Sequence, residues 1–219
     1  MCINTFRLSR SENLEMLPEE NVPDRDVHAF DRRANDYDEG RHGQPHHDIS
    51  DHVINLALEV HPTPRRILDV GCGTGYVIKT LADRVPDAEQ IVGIDPAPTM
   101  VKVARANVPD LRARLDSGVA EDLPYADGAF DLVVSTTSFD HWMDQARGLR
   151  ECARVLAPGG HRVLADQFSP LLWPTLIFAR KGKARTRKRA NRLLAAAGFD
   201  VQHWHRLYAI IIGAVVATK

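Results

Sequence analysis

Short apolar runs alternate with segments of helical periodicity through the middle of the chain. The runs are typical of buried strands, and the segments between them repeat apolar residues every three or four positions, as one face of a helix does. The predicted strands are 67–70, 90–95, 111–119, 129–135 and 162–166. Strands that alternate with helices in this way predict an α/β fold with a mostly parallel sheet and right-handed crossovers.

The pattern changes towards the end of the chain. A helix is predicted around Ala190–Ala197, with Gly198 as its stop signal. Strand-like runs at 199–206 and 207–218 follow, close enough in sequence to pair as an antiparallel hairpin. The prediction is therefore a seven-stranded sheet whose last two strands form that hairpin.

The beginning of the chain carries a different pattern. Residues 1–26 are polar and show little periodicity, so we expect a flexible N-terminal tail. A short helical stretch follows, and a longer helix is predicted from about Asp48 or Ser50 to the prolines after His61, which forbid its continuation. Such a segment has to lie over the strand ends or against a flank of the sheet, which suits a helical lid over residues 27–62.

Three glycines, Gly71, Gly73 and Gly75, separate the first predicted strand from the next helix. Glycine permits backbone angles that other residues resist and lets a ligand approach without meeting a Cβ atom. A nucleotide-like ligand fits such a turn, at the carboxyl end of a strand in an open α/β sheet. The dinucleotide fingerprint G-x-G-x-x-G would place its last glycine at Tyr76, so this pattern is one residue shorter. Asp69, two residues before the first glycine, instead favours a ligand with an amino group and a positive sulfonium.

A second acidic residue, Asp95, ends the next predicted strand. A carboxylate there can accept hydrogen bonds from both hydroxyls of a ribose. It can also cap the helix that follows, which Pro96 is well placed to open. The glycine turn upstream favours the ribose role.

The glycine turn resembles motif I of the class I S-adenosylmethionine-dependent methyltransferases. Segments 118–125, 127–135 and 149–160 resemble later parts of the same family, and so does the N-terminal pattern of Phe30, Ala34, Tyr37 and Asp38. The resemblance covers about residues 27–166 and implies a Rossmann-like fold that binds S-adenosylmethionine and releases S-adenosylhomocysteine. It implies these cofactor-binding residues: Tyr37, Asp69, Gly71, Cys72, Gly73, Gly75, Asp95, Pro96, Met100, Ala120, Glu121 and Ser135.

This chain departs from the family pattern at Val119, where many relatives carry an aspartate that accepts a hydrogen bond from the adenine amino group. Valine cannot accept one. Glu121 or a backbone carbonyl can take over this contact, while the Ala120 N–H can still donate to a ring nitrogen. Loss of one charge-assisted hydrogen bond costs about 1.5–3 kcal/mol when nothing replaces it.

The resemblance implies one methyltransferase domain over residues 27–219, with the lid at 27–62, a cofactor-binding core at 65–167 and an insertion over the acceptor site at 168–189. We expect methyl transfer to an O or N atom of a small molecule, with carbon as a further acceptor. The basic segment 180–192 leaves RNA methylation as an alternative. A non-catalytic protein that binds S-adenosylmethionine is another.

Histidines are the candidate catalytic groups, because imidazole titrates near neutral pH. His141 follows the fourth predicted strand and His47 lies in the lid. Either can act as a general base on the acceptor, and either can be a packed side chain without a catalytic role. His46 and His47 lack a third ligand at useful spacing, so we expect no metal site.

Composition excludes several broad classes. The formal net charge is −1, which gives no global bias towards nucleic acid or an anionic membrane. Three cysteines cannot all pair, which favours a reducing compartment. The start of the chain lacks the apolar run of a signal peptide, and apolar stretches 171–179 and 207–217 are shorter than the ~20 residues that span a bilayer. We expect a soluble cytoplasmic protein, monomeric or homodimeric, with no membrane association.

Overall fold

The structure, a computed structural model, describes residues 25–38, 43–169, 186–208 and 211–219. Its strands are β1 (Arg66–Val70), β2 (Gln90–Asp95), β3 (Ala113–Ser117), β4 (Phe130–Thr136), β5 (Leu156–Gln167), β6 (Asp200–Tyr208) and β7 (Ile212–Thr218). Its α-helices are α1 (Arg25–Arg33), α2 (Gly43–Val60), α3 (Tyr76–Arg84), α4 (Pro98–Asn107), α5 (Gln145–Val155) and α6 (Arg187–Ala196).

The seven strands form one sheet in the order β3-β2-β1-β4-β5-β7-β6. The first five are mutually parallel, and β7 runs antiparallel to both β5 and β6. The predicted mostly parallel sheet with a C-terminal antiparallel hairpin is therefore confirmed. The strand order reverses between β1 and β4, and ligands of open α/β sheets bind in the crevice outside the carboxyl ends of the strands at such a point.

Helices cover both faces of the sheet, and successive residues of a strand point to opposite faces. In β1, Ile67 packs with α2, α3 and α4 on one face, while Leu68 packs with α5 and α6 on the other. Both side chains are fully buried. Burial of an aliphatic side chain of this size contributes about 1.5–3 kcal/mol, so the β1 core fixes the position of the glycine turn that follows.

Strand β5 is longer than the sequence pattern predicted. The Pro-Gly-Gly sequence at 158–160 reads as a turn, and we predicted the strand only from residue 162. The structure includes this stretch in the sheet because the end of the chain pairs with it. The Gly159 N–H donates to the Lys219 carbonyl at 3.1 Å, and the Lys219 N–H donates to the Gly160 carbonyl at 3.3 Å.

Two other predicted boundaries were wrong. Helix α2 begins at Gly43 rather than near residue 48, because Pro45 falls in its first turn, where a missing N–H costs nothing. Strand β3 ends at Ser117 rather than at Val119, and the Gly118 N–H donates to the Asp95 carbonyl as the chain turns away.

Two predicted segments lie mainly outside the described residues: the tail at 1–26 and the insertion at 168–189. Where they overlap the described chain, Arg25 already belongs to α1 and Arg187–Arg189 belong to α6. Within the described chain, none of the helices combines the length and apolar character that a bilayer-spanning helix requires.

Candidate functional site

The glycine turn forms the floor of the site. Gly71, Gly73 and Gly75 all have positive φ angles, of +83°, +52° and +89°. The Gly71 and Cys72 N–H groups donate to the Ile94 carbonyl at 2.8 and 3.1 Å, which ties the turn to the end of β2. The backbone of the turn is thus fixed by main-chain bonds that leave its outer surface accessible.

The three glycines are needed for different reasons. A Cβ atom on Gly71 would overlap the Ser138 side chain, and one on Gly75 would lie 2.9 Å from Val108. No described atom lies within 4 Å of the position that a Cβ atom would take on Gly73. The space beside Gly73 is therefore open to a ligand, whereas the other two glycines are needed for packing.

Two cavities meet at this turn. The larger, of about 130 Å³, extends from the glycine turn past the end of β2 to the residues after β4. The smaller, of about 60 Å³, lies between the turn and the start of α2. The residues that line both cavities are Tyr37, Gly71, Gly73, Thr136 and Thr137.

Asp69 is the buried acid of the smaller cavity. Its side chain is 1% exposed, and its Oδ1 atom has no hydrogen-bond partner within the described chain. Burial and the nearby charge of Asp95 raise the pKa of Asp69 to about 8. Because a buried carboxylate is stable only when it is paired, the site favours a cationic ligand beside Asp69.

Asp95 lies at the end of β2 and lines the larger cavity. Its Oδ2 atom accepts from the Gly73 N–H at 3.0 Å, and its Oδ1 atom accepts from the Ala97 N–H at 2.9 Å. Burial raises the pKa of Asp95, and these two hydrogen bonds oppose the shift. Asp95 therefore orders both the glycine turn and the entry to α4, and each oxygen keeps a second lone pair for a ligand hydroxyl.

The N-terminal segment lies against the glycine turn. The Thr74 hydroxyl donates to Asp38 Oδ1 at 3.0 Å, and His47 Nε2 lies 3.2 Å from the same oxygen. The His47 ring stacks on Tyr76 with 3.9 Å between centroids. These contacts explain the place of His47: it lines the smaller cavity while it joins α2 to the first residue of α3.

An aromatic wall closes the larger cavity. Phe30 of α1 packs edge-to-face on His141 at 4.9 Å between centroids and lies 6.3 Å from Tyr37. Trp142 also lines this cavity and packs edge-to-face on Phe139 at 5.1 Å. Burial raises the pKa of Tyr37, which therefore keeps its proton at neutral pH.

The stretch after β4 connects the two cavities. Thr137 has a φ of +53°, an unusual value for a β-branched residue, and its N–H donates to the Ala165 carbonyl at 2.8 Å. The Ser138 hydroxyl donates to the Val70 carbonyl at 2.7 Å, which joins this stretch to the glycine turn. Thr136 Oγ1 is buried and has no hydrogen-bond partner within the described chain.

Most of the predicted site residues meet here. Of the predicted cofactor-binding residues, the larger cavity is lined by Tyr37, Gly71, Gly73, Asp95, Pro96, Met100, Ala120 and Glu121, and it is also lined by the catalytic candidate His141. The smaller cavity adds His47, Asp69 and Cys72. Burial raises the pKa of the Cys72 thiol well above its usual range, so this cysteine is a neutral packing residue.

Gly75 and Ser135 line neither cavity. Gly75 packs against Ala104 and Val108 of the neighbouring helix region. Ser135 is fully buried in β4, and its hydroxyl shares a 2.9 Å hydrogen bond with Ser138. Both residues therefore support the site through packing or hydrogen bonding without lining either cavity.

The sequence interpretation missed several lining residues. Phe30 belongs to the N-terminal family pattern but is not among the predicted site residues, and neither are Thr136, Thr137, Ser138, Trp142 and Met143. The position of residues 136–138 directly after a central strand was the available signal, because ligands bind at the carboxyl edge of the sheet. Trp142 and Met143 carry no comparable sequence signal.

Comparison with known proteins supports one class. A family model described as a methyltransferase domain matches residues 68–164, a stretch that begins within β1, ends within β5 and includes the glycine turn. This stretch is just under half of the chain, and it supports the predicted resemblance to class I S-adenosylmethionine-dependent methyltransferases. The fold prediction is confirmed by the strand order.

Individual relatives match only part of the chain. A demethylmenaquinone methyltransferase of Thermus thermophilus is 43% identical over 120 residues, which cover 54% of this chain and 53% of the relative. A malonyl-[acyl-carrier protein] O-methyltransferase of Geobacter sulfurreducens is 41% identical over 133 residues, which cover 60% and 49%. The matches thus span about half the length of these relatives.

Solved structures share the fold over a longer part of the chain. One chain from a complex of the Haloferax volcanii Trm112 methyltransferase activator with a methyltransferase has a TM-score of 0.73 and 22% identity, over 86% of this chain and 96% of that one. An Aquifex aeolicus S-adenosylmethionine-dependent methyltransferase has a TM-score of 0.68 and 17% identity, over 85% and 97%. At this level of identity the similarity shows the fold alone.

Proposed function

We propose that this protein transfers the methyl group of S-adenosylmethionine to an oxygen or nitrogen atom of a small-molecule acceptor. The observation that carries the proposal is the pairing of two features at one place. Asp69 has a buried oxygen without a partner in the described chain, and Gly73 has open space beside it. A ligand with a positive charge and a flat or narrow body satisfies both.

The residues present fit this cofactor. Asp69 would hold the cofactor's ammonium group, and Asp95 would accept hydrogen bonds from the ribose hydroxyls. Met100, Ala120 and Glu121 line the far part of the larger cavity and would surround the purine. When bound, S-adenosylmethionine supplies an electrophilic methyl group on a positive sulfur.

The acceptor side is lined mainly by rings. Phe30, His141 and Trp142 enclose the larger cavity beside the residues that follow β4. An enclosed apolar wall excludes water and holds an acceptor in one orientation, and orientation alone contributes about 7–11 kcal/mol to such reactions. We assign His141 the role of taking a proton from the acceptor, because an imidazole can accept a proton near neutral pH.

Calorimetry and methyl labelling together test the proposal. Purified protein should bind S-adenosylmethionine and S-adenosylhomocysteine, and it should transfer labelled methyl groups into at least one compound of a metabolite extract. Absence of binding to both compounds would overturn the proposal. Binding without any transfer would favour a non-catalytic cofactor-binding protein.

RNA methylation is the second candidate. The observation that favours it is the exposed basic surface of α6, with Arg187, Lys188 and Arg192. Methylation of bulk RNA, with binding that weakens steeply as salt is added, would decide for this candidate. Transfer into the metabolite extract with none into RNA would exclude it.

A further inference from the structure

A third cavity lies on the same carboxyl edge of the sheet as the two cavities of the methyl-donor site. Its volume is about 380 Å³. Phe168, directly after β5, contributes to its wall, as do the start of β7 and the second half of β6. Because β5 lies next to β4 in the sheet, this cavity and the methyl-donor site open at the same edge.

Two arginines from different elements line this cavity. Arg187 is the first residue of α6, and Arg206 lies in β6 directly opposite Gly213 of β7. A Cβ atom on Gly213 would lie 3.8 Å from Arg187 Nη2, so the Arg187 guanidinium packs next to Gly213. Both arginines and Gly213 line the same cavity.

The Arg187 side chain is held by an aromatic ring. Its Cζ atom lies 5.1 Å from the centre of the Trp204 ring, and the Trp204 indole N–H donates to Asn191 at 2.9 Å. A guanidinium stacked in this way keeps its N–H groups for a planar anion. Ring stacking thus orients Arg187 without neutralising it.

The cavity carries positive charge without a matching acid. Its lining within the described chain contains Arg187 and Arg206 but no aspartate or glutamate. Residues 186–208 contain one acidic residue, Asp200, and five basic ones: Arg187, Lys188, Arg189, Arg192 and Arg206. Two like charges at one cavity repel each other, and an anion between them removes this repulsion and adds charge-assisted hydrogen bonds.

Aromatic rings link this cavity to the methyl-donor site. Phe168 lines the cavity that contains Arg187 and Arg206, and its ring centroid lies 6.3 Å from that of Phe139. The Phe139 ring centroid in turn lies 5.1 Å from that of Trp142. Trp142 lines the larger cavity of the methyl-donor site. Phe139 and Phe168 are only 1% and 4% exposed, so these rings form a shared core wall between the two sites.

We propose that Arg187 and Arg206 bind an anionic oxygen group, a carboxylate or a phosphate, of the methyl acceptor. That the bound anion belongs to the methyl acceptor rests on the proposed function. The anion site itself is inferred only from the two arginines and their cavity. The acceptor is then a molecule with an anionic end, an apolar or aromatic body, and a methyl-accepting atom that reaches His141.

The anion site is tested first without the cofactor. Malonate and inorganic phosphate are titrated separately at constant ionic strength, and binding is followed by amide shifts in the NMR spectrum. We expect saturable shifts at Gly213 and Arg206 for at least one probe, and the stronger probe distinguishes a carboxylate from a phosphate. R206Q should weaken binding by about tenfold or more, whereas R192Q, on the same helix as Arg187 but outside the cavity lining, should not. No saturable shift, or equal weakening in both variants, would overturn the inference.

Methyl transfer gives the second test. Labelled methyl groups should enter the anionic fraction of a metabolite extract with the wild type and R192Q, and about tenfold less with R206Q. With the acceptor identified, R206Q should raise KM about 10–100-fold and change kcat by less than about threefold, as expected for lost ground-state binding. Label found only in neutral or cationic compounds would overturn the acceptor assignment. Failure to bind S-adenosylmethionine would overturn the proposed function, whereas the anion titration would still decide on the arginine site.

Discussion

The cofactor side and the acceptor side of the site are built by different means. The cofactor side is formed mainly by backbone groups, namely glycines with positive φ angles and N–H groups that donate to Ile94 and Asp95. A carboxyl group buried in the strand completes it. On the acceptor side, side-chain rings from α1 and from the stretch after β4 meet edge to face. The first arrangement depends on few residue types at fixed spacing, whereas the second depends on tertiary packing.

The two predicted catalytic histidines fall on opposite sides of this division. His47 is stacked on Tyr76 and bonded to Asp38, next to the glycine turn. His141 lies on the ring wall of the acceptor side. We therefore propose different roles for them, with His47 as a positioning residue of the cofactor side and His141 as the candidate base.

Replacement of His141 has the largest expected effect. H141Q keeps a hydrogen-bonding side chain but removes the titratable ring, and kcat should fall about 10²–10⁴-fold for an acceptor that must lose a proton. S-adenosylhomocysteine affinity should stay within about threefold, because the assigned role is on the acceptor. H47Q is the matched comparison and should weaken cofactor binding while kcat at saturation changes little. Equal kcat values in H141Q and the wild type at every pH would remove His141 from the mechanism.

Replacement of Asp69 is the next largest. D69N preserves shape and removes the negative charge, so S-adenosylhomocysteine should bind about 100-fold more weakly above pH 8, where the wild-type carboxyl is ionised. D131N is the control, because Asp131 lies near the start of β4, at the opposite end of the strands from the site. Its carboxylate accepts hydrogen bonds from the Arg65 and Arg66 N–H groups. Calorimetry should show full affinity in D131N. Full affinity in D69N would contradict the placement of the ammonium group.

The pH dependence follows from the raised pKa of Asp69. In the free protein its pKa is about 8, so at neutral pH the carboxyl is mostly protonated, and a cationic ligand must displace that proton. Affinity should rise with pH up to about 8 and then level off, with a proton released on binding below that value. The same shift lowers the stability of the free protein as pH rises from the ordinary value of 3.8 to about 8, because the folded state binds the extra proton. Both slopes should decrease in D69N.

A pair of glycine variants isolates the open space beside the turn. Gly73 and Gly159 both have positive φ angles, of +52° and +76°, and neither has a described atom within 4 Å of its Cβ position. G73A and G159A should therefore lose similar stability, about 1 kcal/mol by chemical denaturation. G73A alone should also weaken S-adenosylhomocysteine binding, by about tenfold, because its methyl group occupies the ligand's space. Equal binding in both variants would show that the ligand does not approach Gly73.

The same division explains what could be predicted from the sequence. The sheet, the glycine turn and both carboxylates were predicted because apolar runs, glycine spacing and strand-terminal acids report backbone geometry locally. The contact between Phe30 and His141 joins residues 111 positions apart and has no local signature. The extended β5 was missed for a related reason, since its Pro-Gly-Gly start pairs with Lys219 at the other end of the chain.

The smallest expected effect concerns Val119, where the sequence departs from the pattern of the family that it resembles. Val119 is 44% exposed and lines the larger cavity beside Glu121. V119D restores a carboxylate at the position that accepts from adenine in many relatives, and a charged hydrogen bond contributes about 1.5–3 kcal/mol when fully formed. Exposure and the like charge of Glu121 reduce this gain, so we expect S-adenosylhomocysteine affinity to increase only about 3–10-fold. V119N introduces no charge and should increase S-adenosylhomocysteine affinity less than V119D does. If E121Q weakens binding in the wild type but not in V119D, then Glu121 makes the adenine contact in this chain; weaker binding in V119D than in the wild type would place the purine elsewhere in the cavity.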